Sequence, residues 1–340
     1  MKMKIKRTLS AVLVLIICLC LAGCTSSEGS SAQEAKVYTW PLGTSSPEDT
    51  VTQVFAEKFA EEVETLSQGK MVIDIYPNST VGNDSELLES CEEGDIPFVV
   101  QNTAPQVSYM KETAVFDLPC LFYTIEEARA AVDTPTFYNA LEAVYNENGY
   151  ELLGIADQGF RVMTSNVEIQ DFSDFKGQKI RTMENSYHLE FWKALGANPT
   201  PMAFSEVYIG LQQKTIDAQE NPVEVVVSGK LYEQQDYIIE TNHLPHYIML
   251  FMNEELFSGL SREEQAILTE AADTAKTYAR EQADLRVADR MEIIAESGTE
   301  VITLSDEVRE QIKEASANIY DEIRNSAGAD LADAYISAVQ

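Results

Sequence analysis

An α/β protein, a sheet with helices on its faces, is the fold class this sequence predicts, and three observations carry it. Strand-like apolar runs alternate with amphipathic helical patterns from residue 37 onward. Glycine or proline stands at the end of most of these segments, where the chain must stop and turn. Hydrophobic residues make up 45% of the 340 positions, which is enough to build a core on the scale of two or three ordinary domains.

The elements follow in order. Residues 37–40 read as a strand and 43–47 as a turn. The spacing of Val51, Val54, Phe55, Phe59 and Val63 predicts a helix over 48–67, stopped by Gly69. Strand 71–76 ends at Pro77, helix 85–93 at Gly94, and a strand covers 96–101. Helices over 124–132 and 135–148 precede a strand at 150–156, and a second unit opens near Gly159 with strands at 160–165 and 178–182. Helices follow at 187–195 and 204–213, then a short strand at 215–219, a helix opened by Pro222 and a strand at 247–252. The longest helical pattern runs over 261–296, roughly 50 Å at 1.5 Å per residue, more than a typical domain diameter, so it predicts a helix laid along two domains. A strand at 301–304 and a helical end close the chain.

The N-terminus is an address. Lys2, Lys4, Lys6 and Arg7 precede an apolar run from Leu9 to Ala22, the pattern of a secretory signal and too short for a membrane span of about 20 residues. The run ends Leu21-Ala22-Gly23-Cys24, the pattern of a bacterial lipoprotein box, in which Cys24 would carry the lipid. Residues 25–35 are small and polar and read as a flexible tether. The expected location is extracytoplasmic, in the periplasm or on the outer face of the cell membrane, with a lipid anchor. Cys18 and Cys20 would leave with the signal; Cys91 and Cys120 remain, with two free thiols favoured over a disulfide.

Charge and motifs exclude several functions. Lys and Arg number 24 against 56 Asp and Glu, a formal charge of −32, which argues against nucleic acid as a partner. No G-x-G-x-x-G, no G-x-x-x-x-G-K-[ST] and no G-x-S-x-G occurs, and no nucleophile–base pair stands out, so neither an enzyme nor a cofactor is expected. His243 and His246 flank Pro245, which breaks any helix that would place both on one face; they read as structural, and no metal site is expected. Arg161 and Arg181 stand beside strands. A guanidinium there needs a partner, either an internal carboxylate or the carboxylate of a ligand.

The flanking segments carry a resemblance. Gly177-Gln178-Lys179-Ile180-Arg181 precedes Gly196-Ala197-Asn198-Pro199-Thr200-Pro201-Met202-Ala203-Phe204-Ser205-Glu206, then Leu211-Gln212-Gln213 and Ile216-Asp217-Ala218-Gln219-Glu220-Asn221-Pro222. Upstream stand Gln68-Gly69-Lys70, Tyr76-Pro77, Val81-Gly82-Asn83-Asp84 and Phe116-Asp117-Leu118-Pro119. In this order the set resembles the solute-binding proteins of TRAP (tripartite ATP-independent periplasmic) transporters, the DctP family, over nearly the whole chain after Cys24. Ala218 and Lys214 depart from the glycines usual at those places.

The resemblance implies a two-lobed periplasmic-binding-protein-like fold with a cleft between lobes and a long helix along both. Lobe I would comprise 36–158 plus about 247–286, and lobe II 159–246 plus about 287–340. It implies a small organic-acid ligand, of sugar-acid or C4-dicarboxylate type, and delivery to TRAP membrane permease subunits. Arg181 would be the main carboxylate partner and Arg161 the second basic group, with Asn221 as a polar contact and Phe204 against the carbon skeleton. Asp84 and Gln101-Asn102 would approach from the other lobe, with Thr44 and Ser45 in the first strand–helix turn. Glu206 and Glu220 would orient the arginines. Glu184, Asn185 and His188 either enter the cleft, which favours a hydroxylated ligand, or cap the following helix. A ligand sensor of the same fold, feeding a signalling kinase, is the alternative function.

Overall fold

The computed structural model describes residues 37–337; the segments read as signal peptide and tether, with Cys24, lie outside the described residues. The chain opens with strand β1 (Tyr38–Gly43), helix α1 (Val51–Leu66), β2 (Met71–Tyr76), α2 (Asp84–Glu92) and β3 (Phe98–Asn102). Thr50 caps α1 by accepting from the Gln53 N–H at 3.3 Å, and Asn83 with Glu86 forms a reciprocal capping box on α2. The apolar stripe of α1 buries Val51, Phe55, Phe59 and Val63, each worth about 1.5–3 kcal/mol relative to exposure.

Helices α3 (Ile125–Asp133) and α4 (Pro135–Glu147) lead into β4 (Tyr150–Ser165), then β5 (Lys179–Thr182), α5 (Ser186–Ala194), β6 (Asn198–Pro201), α6 (Phe204–Gln212), β7 (Ala218–Pro222), α7 (Val223–Ser228), β8 (Tyr237–Ile239) and β9 (Pro245–Asn253). The short α8 (Glu254–Ser258) precedes α9 (Arg262–Ser297), β10 (Glu300–Ile302), α10 (Asp306–Ala315), α11 (Ala317–Ala327) and α12 (Ala329–Ser337).

The strands form one sheet in the order β2-β1-β3-β9-β4-β7-β5-β6, with β8 on β4 and β10 on β8. It has two halves. In the first, β1 runs parallel to β2 and β3, while β9 lies antiparallel between β3 and the early part of β4. In the second, Arg161–Ser165 of β4 pairs antiparallel with β7, and β5 runs parallel to β7 and β6. Three buried clusters cover the sheet: one beneath α1 and the start of α9, one between β4, α6 and α7, and a large one against α2–α5 and α10–α12.

Three differences from the sequence reading have physical causes. Segments 150–156 and 160–165 form one strand, because Gly159 takes φ +79° and the irregularity between Asp157 and Phe160 is absorbed while both stay paired with β9. The strand expected at 215–219 is β7, shifted to Ala218–Pro222. The Thr215 N–H closes α6 on the Gly210 carbonyl at 3.0 Å, and Pro222 both ends the strand and, as its N-cap, opens α7. The edge strand β6, with prolines at 199 and 201, carried no strand signal. Cys91 is buried and Cys120 half-buried, and both thiols are free.

The 36-residue α9 lies along both halves. Ala271, Ala275, Ala279 and Ala283 recur at four-residue spacing on its buried face, so the helix backbone packs close to β4. Farther along, Arg286 and Arg290 each bridge Asp49, ahead of α1, and Glu224, in α7, at 2.5–2.8 Å. Gly154 of β4 completes the close approach: a Cβ there would stand 3.3 Å from Phe55 Cζ and 3.7 Å from the Ala272 carbonyl oxygen. Gly154→Val should therefore cost about 1–3 kcal/mol by overpacking, read as a lower urea midpoint with an unchanged slope.

Candidate functional site

The ends of several elements meet where the two sheet halves join. The turn after β1 and the start of α2 bring Ser45, Ser46, Pro47 and Asp84, and β3 brings Asn102. From the other half come Arg181 of β5, Met183 after it, Phe204 at the start of α6, Asn221 of β7 and Val225 of α7, with His246 from β9. They line a half-open cavity of about 30 Å³, room for one or two water molecules.

Arg181 is the main charge in that wall. Its Nε and Nη2 both donate to the Met202 carbonyl, at 2.9 and 2.6 Å, and its Nη1 is buried with no hydrogen-bond partner. Burial lowers its pKa to about 10, against the pull of Glu220, so the group stays charged at neutral pH. A carbonyl answers the donors but not the charge, and a buried charge without a counter-ion is costly.

Arg161 is placed differently. Its Nε meets Glu220 Oε2, its Nη2 donates to Glu220 Oε1 at 2.8 Å and to the Glu220 carbonyl at 2.7 Å, and its Nη1 donates to His246 Nδ1. The structure gives this guanidinium to an internal carboxylate, behind the cavity rather than on it, because β4 and β7 pair with Met163 opposite Glu220. Since His246 Nδ1 accepts from Arg161, the His246 proton sits on Nε2; burial, with Arg161 adjacent, holds its pKa well below the usual value, so the ring is neutral.

Glu220 is the hub of a buried network. His243 Nε2 lies 3.2 Å from its Oε2, and His188 Nδ1 lies 3.6 Å from its Oε1, an ion-pair distance too long for a hydrogen bond. Burial pushes the Glu220 carboxyl up, but Arg161, then His188 and His243, outweigh it and hold it well below the usual range. His188 Nε2 meets Asp117 Oδ1 at 3.0 Å, and Asn185 Nδ2 donates to Asp117 Oδ2 at 2.7 Å and to the Ala104 carbonyl at 2.9 Å. Asn221 takes Arg161 Nη2 on its Oδ1 at 3.3 Å and donates to Gln219 Oε1 at 2.7 Å, which fixes its amide orientation in the cavity wall.

On the other side, Asp84 Oδ1 accepts from Ser45 Oγ at 2.6 Å and from Gln101 Nε2 at 3.2 Å. Asn102 donates to the Tyr247 carbonyl at 2.9 Å.

Of the residues singled out in the sequence, Arg181, Asn221, Phe204, Asp84 and Asn102 line the cavity together. Thr44 does not; it is buried beside it, accepting from the Ser46 N–H at 3.2 Å. Glu184 is exposed, and His188 is drawn away by Asp117, so neither is among the lining residues, while Asn185 caps α5. Glu206 is exposed in the first turn of α6 and takes part in no ion pair of either arginine, whereas Glu220 holds Arg161. Met183, Val225 and His246 in the lining were not anticipated. His246 reaches it through the register of β9, which is set by strands distant in sequence.

Residues 42–326 match the family model for bacterial extracellular solute-binding protein, family 7, known as DctP. The chain is 33% identical over 304 residues to the ectoine/5-hydroxyectoine-binding periplasmic protein UehA of Ruegeria pomeroyi, covering 88% of each chain. Its structure is similar to that of the sugar acid binding protein DctPAm of Advenella mimigardefordensis in complex with galactonate, with a TM-score of 0.86, 31% identity and coverage of 90% of this chain and 99% of that one. It is also similar to a TRAP periplasmic solute-binding protein of Shewanella oneidensis with bound succinate, with a TM-score of 0.85, 27% identity and coverage of 89% and 100%.

The network sets a pH dependence. Burial alone would lower the His188 pKa, but Asp117 and then Glu220 raise it from 6.5 to about 9. Its contribution to stability is thus complete below pH 6.5 and is lost as pH rises through about 9. The stability advantage of the wild type over His188→Gln should shrink between those values by at most about 3 kcal/mol, as followed by urea unfolding at stepped pH. A constant difference would mean that His188 is neutral in the fold.

Proposed function

Because the chain belongs to family 7 of the bacterial extracellular solute-binding proteins, the DctP family of TRAP transporters, we propose that it captures a small organic acid between its two lobes and delivers it to the membrane permease, with Arg181 holding the ligand carboxylate. The single observation that carries this is the buried, unpartnered Nη1 of Arg181 in the cavity wall. A carboxylate there supplies both the missing acceptor and the missing counter-charge, in the geometry a guanidinium favours.

Lobe closure follows from where the contacts come from. We take lobe I as 36–158 plus about 247–286 and lobe II as 159–246 plus about 287–340. Asp84 and Asn102 then belong to one, and Arg181, Phe204 and Asn221 to the other. A ligand that touches both sets stabilises the closed arrangement over the open one by its differential contacts. A cavity of about 30 Å³ does not admit a four- to six-carbon acid, so the lobes must part for entry. Phe204 and Val225 offer apolar surface to the carbon skeleton, and Asn221 a fixed amide. Arg161 acts through Asn221 and His246, which it positions.

The proposal extends to an extracytoplasmic location with a lipid on Cys24, supported by Leu21-Ala22-Gly23-Cys24 directly after an apolar run. In cells fed a tagged fatty acid, the wild type should take up label and the Cys24→Ala protein should not; equal labelling would remove the anchor.

Arg181→Ala should unfold as cooperatively as wild type and lose organic-acid affinity by about 100-fold or more. Titration calorimetry of residues 25–340, on acids first picked by thermal shift, measures this. An Arg181→Ala protein that bound every acid as tightly as wild type would refute the assignment.

A further inference from the structure

The cavity wall carries one cation and one anion on opposite sides. Arg181 comes from one sheet half and Asp84 from the other. The rest of the polar lining is neutral: the amides of Asn102 and Asn221, the hydroxyls of Ser45 and Ser46, and His246, whose Nδ1 is occupied as an acceptor. Arg161 adds no net charge, because Glu220 neutralises it. The site therefore offers an unpaired donor for an anion, at Arg181 Nη1, and an acceptor on the opposite wall.

Asp84 is held as an acceptor. Ser45 Oγ at 2.6 Å and Gln101 Nε2 at 3.2 Å both donate to Oδ1, and among the described residues no hydrogen bond falls on Oδ2. Gln101 is itself buried, and its Nε2 also donates to the Asp84 carbonyl at 2.6 Å, so the carboxylate is fixed in direction. Whatever part of a ligand lies against Oδ2 must donate a hydrogen bond.

From this we infer that Asp84 sets the ligand class: a monocarboxylate carrying a hydrogen-bond donor, a hydroxyl or a protonated nitrogen, at the end remote from the carboxylate. A dicarboxylate is rejected. Its first carboxylate would meet Arg181, and its second would be left against Asp84 with no cation to answer it; like charges brought together in a desolvated site are strongly unfavourable. Donor selection at a fixed, half-buried acceptor is also a contact that discriminates, because the acceptor is left unpaired by the wrong ligand. This argument replaces the one from Glu184 and His188, which do not line the cavity.

The inference rests on the carboxylate reading of Arg181, and the test separates the two. The mature protein is titrated by calorimetry with galactonate as the hydroxyl-bearing acid, ectoine as the acid with a protonated nitrogen, and succinate as the dicarboxylate. The better of the first two should bind about 100-fold or more tightly than succinate, and which one it is identifies the donor. Asp84→Asn, which removes the charge at nearly constant shape, should bring the ratio below about tenfold. Succinate binding within threefold of the better donor acid would overturn the inference and leave the carboxylate reading standing, and so would an unchanged ratio in a folded Asp84→Asn protein. If none of the three acids binds, and none in a wider panel of organic acids, the carboxylate reading falls and takes this inference with it. Should Asp84→Asn fail to fold, the wild-type ratio alone decides.

Discussion

The ion pair between Arg161 and Glu220 organises the middle of this molecule. Both groups are fully buried where β4 meets β7, and neither could stay charged there alone. Because Glu220 is committed to Arg161 and flanked by His188 and His243, it cannot also serve Arg181 as a hydrogen-bonded partner. Arg181 is left with the Met202 carbonyl and a free Nη1. One guanidinium is thereby spent on an internal carboxylate and the other keeps a donor without a partner, although both begin beside strands of the same sheet. The same pair reaches the cavity indirectly, since Arg161 holds Asn221 and His246 in place.

The chain is strongly acidic, at −32, yet similar solved proteins hold acids such as galactonate and succinate. Long-range fields are screened within about 8–10 Å at ordinary ionic strength, so the surface charge matters less at the site than the nearest few groups. What matters there is that Arg181 is desolvated in advance and that few lining groups compete for it. Asp84 works in the opposite sense on the far wall. Burial raises its carboxyl above the usual value, more than Ser45, Gln101 and Arg181 pull it back, and Arg181 across the gap favours its charged form.

Three elements run between the halves: β4, β9 and α9. The ladder is already irregular between Asp157 and Phe160, so bending at that point breaks fewer hydrogen bonds than elsewhere in β4. On α9 the alanine stripe serves the first half, while Arg286 and Arg290 tie Asp49 to Glu224 across to the second. Any motion that opens the cavity has to reckon with those ion pairs: the ones to Asp49 are partly exposed and water can replace them in part, whereas Arg290–Glu224 is buried.

Much of this was readable along the chain. The periods of Val51, Phe55, Phe59 and Val63, the stops at Gly69 and Gly94 and the unbroken pattern of α9 are local properties, and such local patterns placed these helices within three residues of their ends. The ordered motifs around Arg181 and Glu220 pointed to the family in the same way. The union of two segments into β4, the three-residue shift of β7 and the proline-bearing β6 were not readable, because each depends on a partner strand supplied from elsewhere. Nor was the division of labour between the arginines. Arg161 and Arg181 look alike in sequence, as do Glu206 and Glu220; register across β4 and β7 put Glu220 against Arg161 and left Glu206 on the surface. Counter-charge is a matter of distance in space, and strand pairing between residues far apart in the chain sets that distance.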